Sequence, residues 1–222
     1  MNIFIRVCCP LLEIRKRLSI FSNSFNFRVE GNGFDNCIIL NSDLHESMVE
    51  SIFEIFEDVF YGEEDMNLAQ SLVHELREKG LSFACAESLT GGMISSAIVD
   101  VPGCSEVFHE GLITYSNISK MDRLGVGEDT IIDYGAVSRE VAIEMANGLI
   151  KDNVSIAVAT TGIAGPTGGS ENKPVGLTYI SVVSEKNTEC YEYCFYGNRN
   201  EIRKAATDMA IFKTLIYIKN NF

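Results

Sequence analysis

The 222-residue chain carries 46% hydrophobic and 22% charged residues, a composition typical of globular proteins that bury a core. Its net charge of −13 argues against binding to the phosphate backbone of nucleic acid. No apolar run reaches the roughly 18 residues that a membrane-spanning helix needs. The seven cysteines are an odd number and no secretory signal is recognisable, so the sequence predicts reduced thiols and a cytoplasmic location.

Residues 1–65 are predicted to form a small α+β segment. Residues 11–18 have the pattern of a short helix, and FNFRVEGNGFDNCIIL alternates on both sides of a turn at 31–33, as a β-hairpin does. Hydrophobic residues at helical spacing within 48–60 predict a second helix. The sequence YGEED that follows is interpreted as a linker to a second domain, residues 66–222.

From residue 66 onward, helical and strand-like patterns alternate. The predicted strands are 81–86, 111–116, 154–160, 176–183 and 190–196. The predicted helices run from 66 to Gly80, from about Gly91, from Ser116 to Leu124, from Ser138 to Leu149, and from 199 to 217. This alternation predicts the α/β class, a three-layer α/β/α sandwich with a mostly parallel sheet behind the small α+β segment.

The stretch CAESLTGG, which follows the predicted strand 81–86, places Ser88 at the carboxyl edge of the sheet and beside a helix N-terminus. Ligands bind at that edge in open α/β sheets, and free amides near Thr90, Gly91 and Gly92 suit an oxyanion or a phosphate. The G-x-S-x-G pattern of a nucleophile elbow is absent. Ser88 or Thr90 as a simple helix cap, with the glycines permitting the turn, remains an alternative.

A nucleophilic serine needs a base, and the three histidines are poor candidates for that role. His45 lies in the N-terminal segment, His74 lies among charged residues of a helix, and His109 has only its sequence position in its favour. Lysine replaces histidine as a base where burial lowers its pKa. Lys120, close to Tyr115 and Asn117 in GLITYSNISK, is such a candidate, although its position also fits a solvated surface lysine.

Two further segments have features of an anion site. The loop TTGIAGPTGGSENKPVG offers many backbone donors, although it contains neither a P-loop nor a dinucleotide-binding fingerprint. Arg199 lies in the first turn of the last predicted helix, where a positive charge opposes the helix dipole and an anionic partner would compensate. A plain surface loop and an exposed arginine are the alternatives.

Together these segments resemble one known family. The motifs AESLTGG, GLITYSNISK, YGAVS, TTGIAGPTGGSENKPVG and GNR occur in the order and at the spacing of the C-terminal domain of competence-damage-inducible protein A (CinA). The resemblance covers roughly residues 66–220. Residues 1–65 resemble only the end of a connecting α+β domain of longer family members.

The resemblance implies a nicotinamide-nucleotide amidohydrolase that converts nicotinamide mononucleotide to nicotinate mononucleotide and ammonia. By motif matching, Ser88 is the expected nucleophile, Lys120 the general base and Tyr115 their partner. The expected substrate-binding residues are Thr90, Gly91, Gly92, Asn117, Thr161, Gly162, Gly165, Gly168, Gly169 and Arg199. The family implies no cofactor and no metal, a small nucleotide as substrate, and a homodimer.

The chain departs from the usual family motifs at four positions. Leu89 replaces a common Cys, Thr161 a common Ser, Thr167 a common Asp, and Asn198 the common Asp before Arg199. None of these changes touches the expected nucleophile or base, but they leave the substrate preference open. The alternative is a module of the same fold that binds a nucleotide or a protein partner without turnover.

Overall fold

The computed structural model describes residues 2–21, 25–41, 43–151 and 153–222. The chain divides into two compact units, Met1–Ser71 and Leu72–Phe222. None of the helices in the described ranges is both long and apolar enough to cross a lipid bilayer.

The first unit is a small antiparallel sheet with two helices. Its elements are β1 (Asn2–Cys8), α1 (Leu11–Leu18), a 3₁₀ turn (Ser19–Phe21), β2 (Phe27–Asn32), β3 (Asp35–Asn41), α2 (Glu46–Phe56) and β4 (Phe60–Gly62). The described strands pair in the order β2-β3-β1-β4. Apolar residues of β1, β3 and both helices form its core, so the α+β character predicted for this segment is observed.

Two details of this unit differ from the sequence prediction. The hairpin turn lies at Gly33, and Gly31 stays in the β2–β3 ladder opposite Asn36. The helix α2 ends at Phe56, and Phe60 begins strand β4. Phe60 packs against the same core as α2, and this shared burial explains why the helical hydrophobic pattern continued past the end of the helix.

The second unit alternates helices and strands. After α3 (Leu68–Glu78), which crosses the boundary between the units, its elements are β5 (Phe83–Glu87), α4 (Met93–Val99), a 3₁₀ turn (Cys104–Glu106), β6 (Phe108–Ile113), α5 (Asn117–Leu124), α6 (Glu128–Tyr134), α7 (Arg139–Asn147), β7 (Ile156–Gly162), β8 (Leu177–Val183), β9 (Thr188–Cys194) and α8 (Arg199–Asn221).

The sheet of this unit has the order β6-β5-β7-β8-β9. Strands β6, β5 and β7 are parallel, whereas β8 and β9 are antiparallel to their neighbours, so the sheet is mixed and only its first half matches the predicted parallel arrangement. The reason lies in the connections. A parallel pair needs a crossover, usually a helix, and the loop 163–176 between β7 and β8 contains none.

Helices cover both faces of this sheet, as the α/β class predicts. Ala84 and Ala86 of β5 pack with Ala157 and Ala159 of β7 into a core that includes α7. The alternate residue Cys85 points to the other face, where its thiol contacts Ser95 of α4. Helix α8 also packs against α4 and the sheet, and the result is three layers.

The helix α6 was not predicted. It has seven residues and lies between two glycines, which leaves too short a hydrophobic pattern to recognise. A residue far along the chain stabilises its start: the Glu144 carboxylate accepts hydrogen bonds from the Gly127 amide at 2.8 Å and from Thr130 Oγ1 at 2.7 Å.

Candidate active site

Ser88 directly follows β5 and lies where the carboxyl ends of β5 and β7 meet. Its amide donates to the Thr160 carbonyl at 3.0 Å, which continues the pairing of the two strands by one more residue. Only 8% of Ser88 is exposed. The parallel pair therefore fixes the backbone from which the Ser88 hydroxyl projects.

The carboxylate of Glu87 holds the start of α4. Its Oε2 accepts from the amides of Gly92 (2.8 Å) and Ile94 (3.1 Å), and its Oε1 accepts from the amide (2.9 Å) and the hydroxyl (2.7 Å) of Ser95. Glu87 is fully buried, so these bonds supply the partners that its side-chain oxygens need away from water. The Gly92 amide, expected from the sequence to be a free donor, is thus occupied by Glu87.

Lys120 projects from α5 towards the strand ends. Ser116 caps the helix by accepting from the Ser119 amide at 3.1 Å. Lys120 is 1% exposed, and its Nζ lies 3.1 Å from Ser88 Oγ, 2.8 Å from the Thr114 carbonyl and 3.1 Å from the Tyr115 carbonyl. A neutral amine has two N–H bonds and one lone pair. With the two carbonyls as acceptors, the lone pair of Lys120 is left for the Ser88 hydroxyl.

Burial lowers the pKa of Lys120 from 10.5 to about 8, because desolvation disfavours the ammonium. Among the described residues, the hydrogen-bond partners of its Nζ are two backbone carbonyls and one hydroxyl, without a carboxylate. At pH 7 about one tenth of such a lysine is neutral, and the fraction rises steeply over the next pH unit. The sequence left two interpretations of Lys120, a base or a solvated surface lysine, and the structure shows that it is buried.

The side chain of Tyr115 is 63% exposed, and its hydroxyl lies 3.4 Å from Nη2 of Arg199. Only the backbone carbonyl of Tyr115 contacts Lys120. Arg199 extends from the first turn of α8, and its Nη1 donates to the Gly165 carbonyl at 2.9 Å. Tyr115 and Arg199 therefore meet at the rim of the site.

A cavity of about 220 Å³ opens beside Ser88 and Lys120. The residues that line it are Ser88, Leu89, Tyr115, Lys120, Ala136, Val137, Thr161, Gly162, Ala164 and Arg199. They come from the ends of β5, β6 and β7 and the residues that follow them, from α5, from the turn before α7 and from the start of α8. Segments that are more than 100 residues apart in the chain thus enclose one space next to the hydroxyl and the amine.

Only some of the expected substrate-binding residues lie at the cavity. Thr161, Gly162 and Arg199 line the cavity, and Gly165 takes part through the carbonyl that holds Arg199. The remaining expected residues are outside the cavity lining, namely Thr90, Gly91, Gly92, Asn117, Gly168 and Gly169.

Three threonines in this region make hydrogen bonds within the protein. Thr161 Oγ1 donates to the Ala136 carbonyl at 2.7 Å, which ties β7 to the cavity wall. Thr90 Oγ1 lies 2.8 Å from Thr160 Oγ1, and both side chains are buried.

Where the chain is described, no group of three or more His, Cys, Asp or Glu side chains lies close enough together to hold a metal ion.

Sequence reasoning missed Glu87, Arg203, Ala136 and Val137. Glu87 and Arg203 hold the loop that follows Ser88, because the Arg203 guanidinium binds the carbonyls of Leu89 and Thr90. The two apolar residues form part of the cavity wall. The sequence did contain a signal for Glu87, because a carboxylate inside an apolar strand needs buried hydrogen-bond donors.

The profile of the CinA C-terminal domain matches residues 65–217 of this sequence. The chain belongs to this family. That confirms the resemblance read from the five motifs.

Relatives of the CinA family share much of this chain. A putative competence-damage inducible protein of Caldicellulosiruptor saccharolyticus is 45% identical over 170 residues, which are 76% of this chain and 41% of that protein. A CinA-like protein of Kosmotoga olearia is 43% identical over 176 residues, 77% of this chain and 43% of that protein. The chain thus spans about two fifths of the length of these curated relatives.

Solved structures of CinA proteins have the same fold. The competence/damage inducible protein CihA from Agrobacterium tumefaciens superposes with a TM-score of 0.65 at 42% identity, over 68% of this chain and 93% of that one. A CinA superfamily protein from Escherichia coli gives a TM-score of 0.62 at 27% identity, over 70% of this chain and 88% of that one. The names of these relatives specify no reaction.

Proposed function

We propose that this CinA-family chain hydrolyses the carboxamide of nicotinamide mononucleotide, giving nicotinate mononucleotide and ammonia, with Ser88 as nucleophile and Lys120 as general base. The observation that carries the proposal is the buried amine of Lys120, 3.1 Å from Ser88 Oγ, with two backbone carbonyls as its other partners. A serine and a base within hydrogen-bond reach are the minimum for acyl transfer.

The reaction divides into two steps. In the first, the Ser88 proton passes to Lys120 Nζ as Oγ bonds to the carboxamide carbon. The tetrahedral intermediate collapses when Lys120 returns that proton to the leaving nitrogen, which departs as ammonia and leaves an acyl-serine ester. In the second, water gives a proton to Lys120 and attacks the ester, and Ser88 recovers its proton as nicotinate mononucleotide leaves.

The oxyanion formed in each step needs hydrogen-bond donors beside Ser88. The amides at the start of α4 are bound by Glu87 and do not serve. The amides of Leu89, Thr90 and Gly91 have no acceptor among the described residues, and Leu89 lines the cavity. The proposal therefore assigns the oxyanion to the loop amides that directly follow Ser88.

The charge of the cavity favours an anionic nucleotide over a neutral amide. Of the described residues that line it, Lys120 and Arg199 are the basic ones, and no lining residue is acidic. Because Lys120 acts in its neutral form, Arg199 is the cation available to the substrate. In a protein with a net charge of −13, this local arrangement provides the attraction that a phosphate needs. Arg199 at the rim is assigned to the phosphate, with the loop of Gly162 and Gly165 beside it.

The test is ammonia release from nicotinamide mononucleotide by the purified chain. Ser88→Ala and Lys120→Met should each abolish release while the far-ultraviolet circular dichroism stays the same. Ser96→Ala, an exposed serine on α4, is the matched control and should retain full activity. A panel of nicotinamide, its riboside and other nucleotide amides would identify the substrate. Nucleotide binding without ammonia release would instead indicate a non-catalytic binding module.

Three further expectations stay predictions. The family resemblance implies a homodimer and a connector-like role for residues 1–65, and the cysteine content without a recognisable secretory signal implies a cytoplasmic location. Because the chain spans about two fifths of its curated relatives, the activities of those whole proteins are not transferred to it.

A further inference from the structure

Arg203 binds the loop that follows Ser88. It lies one helical turn after Arg199 on α8, and its Nε donates to the Leu89 carbonyl at 2.9 Å while its Nη2 donates to the Thr90 carbonyl at 2.8 Å. A guanidinium presents its donors in a rigid fork, so two consecutive carbonyls bound in this way have a fixed direction. Arg203 does not line the cavity, and this separates it from Arg199.

These two bonds also fix the loop amides. A peptide group is planar and trans, so its N–H points opposite to its C=O. With the carbonyls of Leu89 and Thr90 directed at Arg203 on α8, the amides of Thr90 and Gly91 point away from that helix. They have no acceptor among the described residues. The Leu89 amide, which also lacks one there, belongs to the residue directly after Ser88.

Gly91 permits the close contact between the loop and Arg203. Gly91 has φ +57°, a left-handed conformation that residues with a Cβ atom rarely adopt. A Cβ atom at this position would also lie 3.2 Å from Arg203 Nη2, closer than an ordinary contact. On the other side of the loop, Glu87 binds the amides of Gly92, Ile94 and Ser95. The donors of the loop itself are therefore the ones left free.

We propose that Arg203 is a positioning residue of the reaction centre, which holds the Leu89 and Thr90 carbonyls against α8 so that the loop amides beside Ser88 receive the oxyanion. This inference rests on the proposed function, since it requires Ser88 to form a tetrahedral intermediate. Without Arg203 the Leu89 carbonyl loses its donor, while the Thr90 carbonyl keeps only its hydrogen bond from the Met93 amide at 3.3 Å. The Leu89 peptide group can then rotate and present its carbonyl oxygen where negative charge develops, which repels the oxyanion. The effect falls on the transition state rather than on substrate binding.

The experiment compares Arg203→Met and Arg203→Lys with the wild type, with Lys204→Met as the control on the neighbouring residue of the same helix. Lys204 pairs with Asp208 within α8 and does not contact the loop. In Arg203→Met we expect kcat to fall by at least about 100-fold, the effect of losing one oxyanion donor, with KM within about threefold of wild type. Arg203→Lys keeps the charge but not the fork, and should show an intermediate loss.

A second readout does not depend on the natural substrate. A small fluorophosphonate forms a P–O bond to Ser88 Oγ as fluoride leaves and the serine proton passes to Lys120, and its phosphoryl oxygen occupies the same donors. The rate of this labelling should fall in parallel with kcat in both Arg203 variants and stay unchanged in Lys204→Met. Thermal unfolding of each variant gives the folded fraction, to which every rate is normalised.

The outcomes separate the inference from the function. A loss confined to kcat and labelling supports Arg203 as a positioning residue. Wild-type kcat and labelling per folded molecule in Arg203→Met would overturn the inference and leave the function standing, and so would a rise in KM alone, which would make Arg203 a substrate contact. A wild type that neither releases ammonia nor is labelled refutes the proposed function, and the inference with it.

Discussion

Replacing Lys120 by methionine tests the central physical claim, that the fold holds a lysine in a site that disfavours its charge. Methionine fills a similar volume and has no charge, so the variant removes the titrating group and disturbs packing little. Lys120 is 1% exposed, and none of the described residues places a carboxylate within hydrogen-bond distance of its Nζ. The variant should lose all activity, yet its stability relative to wild type should depend on pH in a way that reveals the buried amine.

The magnitude follows from the pKa. Burial lowers the pKa of Lys120 from 10.5 to about 8, and each pKa unit corresponds to about 1.4 kcal/mol, so the folded state disfavours the ammonium by about 3 kcal/mol. Because the folded pKa lies below the unfolded one, the unfolded chain binds more protons between these two pH values. The stability of the wild type therefore rises with pH across this window, and this contribution is lost as the pH falls through about 8.

The assay is urea unfolding followed by circular dichroism at pH 8 and pH 10. Taking the difference between wild type and Lys120→Met cancels the contributions of all other titrating groups. Over this range the wild type should gain about 2 kcal/mol relative to the variant. Lys79→Met, at an exposed position, is the control for replacing a lysine that is not buried. A difference for Lys120→Met that stays flat between pH 8 and pH 10 would refute the lowered pKa.

The remaining predictions concern other parts of the site. The value of kcat/KM should rise about tenfold per pH unit up to about pH 8 and then level off, as a pH–rate profile will show, because only neutral Lys120 accepts the serine proton. Arg199→Ala should raise KM with little change in kcat in steady-state assays, and unchanged KM would remove Arg199 from the site. Glu87→Gln should lower the free energy of unfolding by about 2–3 kcal/mol in urea titrations, because an amide cannot accept at both ends and leaves buried donors of α4 unpaired. Thr161→Val should cost about 1–3 kcal/mol in the same assay, because the Ala136 carbonyl loses its partner.

Local signals in the sequence predicted most of the second unit. The sequence predicts helices that begin at Ser116 and Ser138, and each of these serines accepts a hydrogen bond from the first turn of its helix. Gly125 ends α5 with a positive φ of 70°, as its sequence position indicated. Such signals act within a few residues and need no knowledge of the rest of the fold. The missed helix α6 lacks one, since Gly127 provides no side-chain cap.

Tertiary structure decided the direction of the last strands and the composition of the cavity. The sequence showed apolar runs for β8 and β9, but an apolar run does not reveal whether a strand is parallel or antiparallel to its neighbour. Thr161 lines the cavity, and so do Ala136 and Val137. The latter two belong to the YGAVS motif but had no predicted role, because only the return of the chain before α7 brings them to the cavity.

The sequence by itself determined which residue types are available for chemistry: a serine after a strand, a lysine after the next strand, and an arginine at the start of the last helix. Only the tertiary structure decided that Lys120 Nζ lies 3.1 Å from a hydroxyl 32 positions earlier in the chain. The parallel pairing of β5 and β6 brings their carboxyl ends together. The physical reason is that a pKa depends on solvation, and the burial that lowers the pKa of Lys120 is produced by segments distant in sequence packing around it.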